Sequence, residues 1–277
     1  QISYAYSAEF LMKVTAMKND RKTKSYGGFA PRYDQSKGLQ QTVNTQPYSI
    51  IGMELPGAIK EVEDIDKVLK GEKWIGFKAT ESVFKEKADE FKVLHLATHG
   101  VINDDTPMLS QLLFNRDSIN DGLLNVSEIY GLSLNADLTV LSACNSGVGK
   151  STKGEGNMSI SRAFSYAGCP SVITTFWKVP DQMTHKLMQN LYENLVESNH
   201  KAESLRSAKL QFITSTDDSN KAHPYYWASF VLMGDHGEIE IGSDKDKYLW
   251  WLLALSAVLV LAFTFKKLIR KSALKSD

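Results

Sequence analysis

Two residues in this chain combine reactive side chains with similar local settings. His99 follows the apolar run Val93-Leu94-His95-Leu96-Ala97, and Cys144 follows Leu138-Thr139-Val140-Leu141. Runs of this kind, ending abruptly in small and polar residues, read as buried strands of a parallel sheet. Ligands of open α/β sheets bind just outside the carboxyl ends of such strands. If the two strands are neighbours, a thiol and an imidazole share one crevice, which is the minimum apparatus for a cysteine nucleophile with a histidine base. Singly, each residue has a plainer reading: the cysteine as a small buried hydrophobe, the histidine as a core or surface residue. The joint pattern carries the assignment. His95 is a rival base, but its mid-strand position predicts that it points into the sheet packing.

A thiol near its ordinary pKa of about 8.5 is only a few per cent ionised at neutral pH. A neighbouring imidazolium and a helix N-terminus after the cysteine loop would lower that value, and His99 would return the proton to a leaving amine. Asn145 to Glu155 holds three glycines and several small polar residues and reads as a substrate loop. Glu155, Trp177 and Asp181 fall on segments expected to rim the crevice. A carboxylate there would hold a basic group of a substrate. The plainer readings are that Glu155 binds backbone and that Asp181 caps the helix running to Glu197. Asp104, Asp105 and Asn145 are candidate orienters of the histidine, and nothing in the sequence selects among them.

The elements that must position this pair can be read in outline. Tyr26 to Tyr33 reads as a first strand, and residues 34–49 as a polar surface loop. Ala58 to Lys70 carries a helical stripe, with Gly71 as its stop. Thr80 reads as the cap of a short helix bearing Val83 and Phe84, and Asn125 as the cap of another. Asn157 to Ala167, Asp181 to Glu197 and residues 201–213 read as helices, Ser171 to Phe176 as a parallel strand, and Tyr226 to Met233 as the strand that closes the sheet. This alternation predicts a three-layer α/β domain with a mainly parallel sheet. Lys+Arg and Asp+Glu are equal at 32 each, so net charge gives no case for nucleic acid. The two cysteines, Cys144 and Cys169, read as free thiols. No glycine-rich phosphate loop and no Cys-x-x-Cys spacing occurs, so no metal or cofactor is expected.

Thr98-His99-Gly100 and Ser142-Ala143-Cys144-Asn145-Ser146-Gly147 resemble the His-Gly and Ala-Cys-x-x-Gly elements of caspase-like cysteine peptidases, and most nearly the CHAT family. The similarity continues through Leu55-Pro56-Gly57-Ala58, Glu61-Val62, Ala79-Thr80-Glu81, Asp121-Gly122-Leu123-Leu124 and Glu128-Ile129-Tyr130. It extends over Gly154-Glu155-Gly156, Arg162-Ala163-Phe164, Ala167-Gly168, Trp177-Lys178-Val179 and Pro224 to Phe230, so that about residues 26–235 resemble the family. The resemblance implies a cysteine endopeptidase with a caspase-like sandwich, a His99–Cys144 dyad and an oxyanion site made of the backbone N–H groups of Gly100 and Cys144. It also implies a protein substrate and upstream tetratricopeptide repeats, and the glycine-containing loop at 145–156 is read as one that an activating protein partner would order. The alternative is a non-hydrolytic binding or scaffold module with the same fold in a membrane-bound complex. A thiol hydrolase of small molecules has no supporting motif.

The chain begins at Gln1 without a signal pattern and reads as part of a longer protein, with residues 1–25 as the end of an upstream helical region. At the other end, Tyr248 to Phe265 contains no charged residue. As a helix this run would extend about 27 Å, near the hydrocarbon thickness of a bilayer. It is read as a membrane-spanning helix after a linker at 236–247 and before a basic tail at 266–277. Five basic residues follow the run and two precede it nearby, which predicts a cytoplasmic tail and a periplasmic peptidase domain, with a cytosolic domain as the alternative.

Overall fold

The computed structural model describes residues 6–9, 12, 24–33, 40–43, 46–49, 55–103, 105–142, 144–145, 155–215, 222–241 and 256. Side chains at 40–43, 46–49, 144–145 and 155–158 fall outside the description. The chain divides into two units, Gln1–Ile241 and Gly242–Asp277. Within the second, only Ser256 is described.

The first unit is built on a six-stranded sheet. In chain order its strands are β1 (Lys24–Pro31), β4 (Glu72–Gly76), β5 (Phe91–Leu96), β9 (Leu138–Leu141), β11 (Ser171–Thr175) and β12 (Phe230–Gly234). Their spatial order is β12-β11-β9-β5-β1-β4, parallel throughout except for the antiparallel edge strand β12. A polar hairpin of β2 (Gln40–Val43) and β3 (Gln46–Ser49) stands apart. It replaces the loop expected from composition over 34–49, because strands in a two-stranded ribbon need no apolar alternation to pair.

Helices cover both faces. On one side lie α1 (Pro56–Leu69), α5 (Asp181–Ser198) and α6 (Lys201–Thr214). On the other lie α2 (Glu81–Lys87), the single turn α3 (Val126–Ile129) and α4 (Glu155–Tyr166). Alternate residues of β5 feed the two cores: Val93 packs with Ile65, Leu187 and Leu191, and Leu94 and Leu96 pack with Phe84, Ile129 and Phe164. This is the period-2 alternation of a strand buried on both faces.

Local chemistry explains several element ends. Thr80 accepts a hydrogen bond from the Val83 amide, and Asn125 with Glu128 forms a reciprocal cap, as the sequence predicts. The stop of α1 differs from expectation. Lys70, not Gly71, takes the left-handed conformation, with φ 51°. Gly71 is needed for another reason: a Cβ there would lie 2.0 Å from the Tyr26 carbonyl oxygen. The expected linker also begins too early. Ile239 and Ile241 are buried in the core, and the Ile239 amide donates to Asn199 O at 2.8 Å.

Among the described residues no helix is long and apolar enough to cross a membrane. The span expected at 248–265 lies outside them except for Ser256, as does most of the upstream helical region expected at 1–25.

Candidate functional site

At the carboxyl edge of the main sheet, β5 and β9 each pause for two residues and then resume as short strands of a second sheet. These are β6 (His99–Val101) and β10 (Cys144–Asn145). The second sheet has the order β10-β6-β7-β8, with β7 at Gln111–Leu113 and β8 at Leu123–Asn125. Across the pause the pairing holds. Leu96 faces Leu141 in the main sheet, and His99 faces Cys144 in the second, both in parallel register. Register partners on adjacent strands stand about 4.8 Å apart. The two residues singled out from sequence are therefore backbone neighbours at the expected edge. Gly100 pairs with Asn145 on one side and Leu112 on the other.

The His99 ring is 5% exposed and packs against the Tyr33 ring, with centroids 4.9 Å apart. Tyr33 also holds the backbone here: its hydroxyl donates to Leu113 O at 2.9 Å and accepts from the His99 amide at 3.2 Å. It lies 2.7 Å from Thr98 Oγ1 as well. Burial pushes the Tyr33 hydroxyl well above its ordinary pKa, so it remains a proton donor. Sequence reading missed this residue. Its partners come from two distant segments, 98–99 and 113, and the only signal was an aromatic at the end of the first strand.

His95 is fully buried and held on both nitrogens, 2.8 Å from Glu61 Oε1 through Nε2 and 2.9 Å from the Tyr192 hydroxyl through Nδ1. With Nε2–H donated to the carboxylate, Nδ1 accepts from Tyr192, whose proton is held by burial. This is the interior role expected of a mid-strand histidine. Cys169 is likewise interior, and burial raises its thiol to about 12, so it is no thiolate at neutral pH.

The three expected rim residues fare differently. Glu155 begins α4, which follows the cysteine loop; its side chain lies outside the description. Trp177 sits after β11, half-buried, with Nε1 donating to Tyr225 O at 2.8 Å. Asp181 does not cap its own helix, whose cap position is Pro180 and has no side-chain bond. It accepts instead from the Gly57 amide at 2.6 Å, in the first turn of α1. A Cβ at Gly57 would come within 2.5 Å of that carboxylate, which accounts for the glycine. Burial raises the Asp181 carboxyl above its usual range, against the opposing pull of the Gly57 N–H.

Other matched motifs are joints of the scaffold. Glu81, buried, accepts from the Gly122 amide at 2.8 Å and pairs with Lys85 at 2.6 Å. Ser229 and Trp177 exchange hydrogen bonds that tie the loop before β12 to the loop after β11. Of the candidate orienters, Asp105 is exposed, whereas Asp104 and the Asn145 side chain lie outside the description. No group of three His, Cys, Asp or Glu able to hold a metal ion occurs among the described residues.

A mainly parallel α/β sheet with helices on both faces is a fold that solved structures share. The crystal structure of the Arg-specific cysteine proteinase gingipain R has this fold. It matches with a TM-score of 0.52 over 83% of this chain and 52% of its own, at 12% identity. The complex of Porphyromonas gingivalis RgpB pro- and mature domains matches with a TM-score of 0.50 over 82% and 52%, at 10% identity. The chain belongs to the CHAT family: the CHAT domain model matches residues 1–235. Two curated relatives are tetratricopeptide repeat proteins. Tetratricopeptide repeat protein 28 of Mus musculus is 29% identical over 126 residues, and that of Homo sapiens 25% over 158. The matched segments cover 45% and 57% of this chain but span only 5% and 6% of the length of those relatives.

Proposed function

We propose that the chain is the catalytic part of a cysteine endopeptidase, with Cys144 as nucleophile and His99 as its base. The observation that carries this reading is the parallel register of Cys144 with His99 at the carboxyl edge of adjacent strands. The Cys144 thiolate would attack the scissile carbonyl, and His99 would protonate the leaving amine. The N–H groups of Gly100 and Cys144 would receive the oxyanion. Glu155 and Trp177 belong to the substrate rim. Asp181 belongs to it only at a cost, because substrate would compete with the Gly57 amide for its carboxylate.

The repeat proteins among the relatives are the ground for an upstream repeat region; the protein substrate and the activating partner belong to the same proposal. We place the domain on a membrane through 248–265, outside the cytoplasm, on the charge asymmetry of that run's flanks. Protease shaving of intact spheroplasts tests the orientation: the domain is degraded, and protection until lysis refutes the placement. A scaffold without turnover is the rival function, favoured by the repeat-protein relatives. Proteome-wide labelling of new N-termini, with the parent chain, Cys144→Ala and His99→Ala, separates the two. Cleavages present in the parent and absent from both variants support the peptidase; identical profiles leave the scaffold.

A further inference from the structure

Away from the His99–Cys144 edge, a groove of about 400 Å³ runs between α6 and the terminal strand β12. We propose that it binds an amphipathic monocarboxylate, a small molecule with one carboxylate head and an apolar body, and that Lys209 receives the head.

The walls are apolar: Leu205, Leu210 and Ile213 from α6, with Trp227 and Leu232 from the β12 side. The volume falls within the range of small-molecule sites, which are mostly apolar with a few placed polar groups. Lys209 is the placed group. Its ammonium donates to Phe230 O at 2.6 Å, and three N–H donors are available to it. Among the described residues no carboxylate forms an ion pair with Lys209 or with Arg206, one turn earlier on the exposed rim of the groove. Lys201, on the same helix, shows the ordinary solution, a bond of 2.6 Å to Asp235. Burial lowers the Lys209 amine to about 8. A half-buried cation in apolar surroundings, with no counter-ion among the described residues, is complementary to an anion that brings its own apolar body.

The same lysine argues against an extended peptide as the occupant. Its arm reaches the carbonyl of Phe230 on the terminal strand of the sheet, and a strand added there would have to displace it. Lys209 is half-buried and Arg206 exposed, so the lining holds one cation withdrawn from solvent, which matches one carboxylate.

Titration calorimetry of the whole chain with phenylbutyrate, and with its neutral amide phenylbutyramide, tests the site. The expected result is saturable one-to-one binding of the acid, at least about tenfold tighter than the amide. Lys209→Met should abolish that preference. At pH 8.5 binding should take up a proton, read from buffers of different ionisation heat, because the carboxylate restores charge to the amine. Absence of saturable binding, or equal affinity for acid and amide on the parent chain, overturns the proposal whatever the variant does. This site stands independently of the peptidase reading.

Discussion

His95 and His99 lie four residues apart on one run of chain, both buried, and the molecule treats them in opposite ways. His95 sits mid-strand, between α1 and α5, and spends both nitrogens on Glu61 and Tyr192. His99 lies beyond the end of that strand, on the bridging strand β6, with its ring on Tyr33 and its backbone in register with Cys144. The difference teaches that burial does not separate a histidine committed to packing from the one proposed for chemistry. What separates them is where the strand ends. Inside the sheet an imidazole must be satisfied by helices on the same face; past the sheet it stands where other strands and substrate loops converge.

The sharpest test of this contrast is the pair of alanine variants. His99→Ala and Cys144→Ala should each lower cleavage by about 10³-fold, the scale of a lost acid–base or nucleophilic group. The thermal unfolding of both should stay close to that of the parent. A His99→Ala chain that unfolds would erase the distinction. His95→Ala should do the reverse. It strands the Glu61 carboxylate in the interior, at about 3–5 kcal/mol of stability, measured by denaturant titration. A His95→Ala chain as stable as the parent would show that the buried pair is worth nothing.

Tyr33→Phe is a finer probe. It keeps the ring against His99 but removes the hydroxyl that joins the His99 amide to Leu113 O. Activity should fall about tenfold, the scale of one lost buried hydrogen bond. The fall should appear in kcat rather than KM, and an unchanged kcat would confine Tyr33 to packing.

The smallest effect concerns a half-buried basic group, Lys209, which among the described residues has no carboxylate where His95 has one. Its folded-state pKa of about 8 lies below the ordinary 10.5. The folded state therefore binds fewer protons between those values, and stability is lost as pH falls through 8. Lys209→Met should be more stable than the parent at pH 7, by a few degrees in Tm. The gap should close as pH rises toward 10.5. A gap independent of pH would mean that the amine is not desolvated.

The strands that deliver the site were legible because each is a short apolar run ended by small residues. Thr80 and Asn125 were legible because a cap is a contact within one turn of helix. Asp181 was misread for the same reason. A carboxylate at the start of a helix reads as that helix's cap, and its true partner, the Gly57 amide, is more than a hundred residues away. Tyr33 escaped notice because its hydroxyl serves segments that only the folded sheet brings together. The hairpin at 40–49 escaped because polar strands leave no hydrophobic period.

The pairing of Leu96 with Leu141 and of His99 with Cys144 uses one and the same offset along the chain, on either side of the pause. The alignment of His99 with Cys144 is thus a counting property, set by equal numbers of residues after two core contacts. A one-residue deletion or insertion in either pause would leave the core pairing intact and slide His99 one step past Cys144. Changes of length at 97–98 or 142–143 should therefore silence the chain more thoroughly than most changes of residue type there. Equal lengthening of both segments should restore the match. Inheritance of activity in such a site depends on keeping two lengths equal, a constraint that a substitution-by-substitution view of the sequence would not reveal.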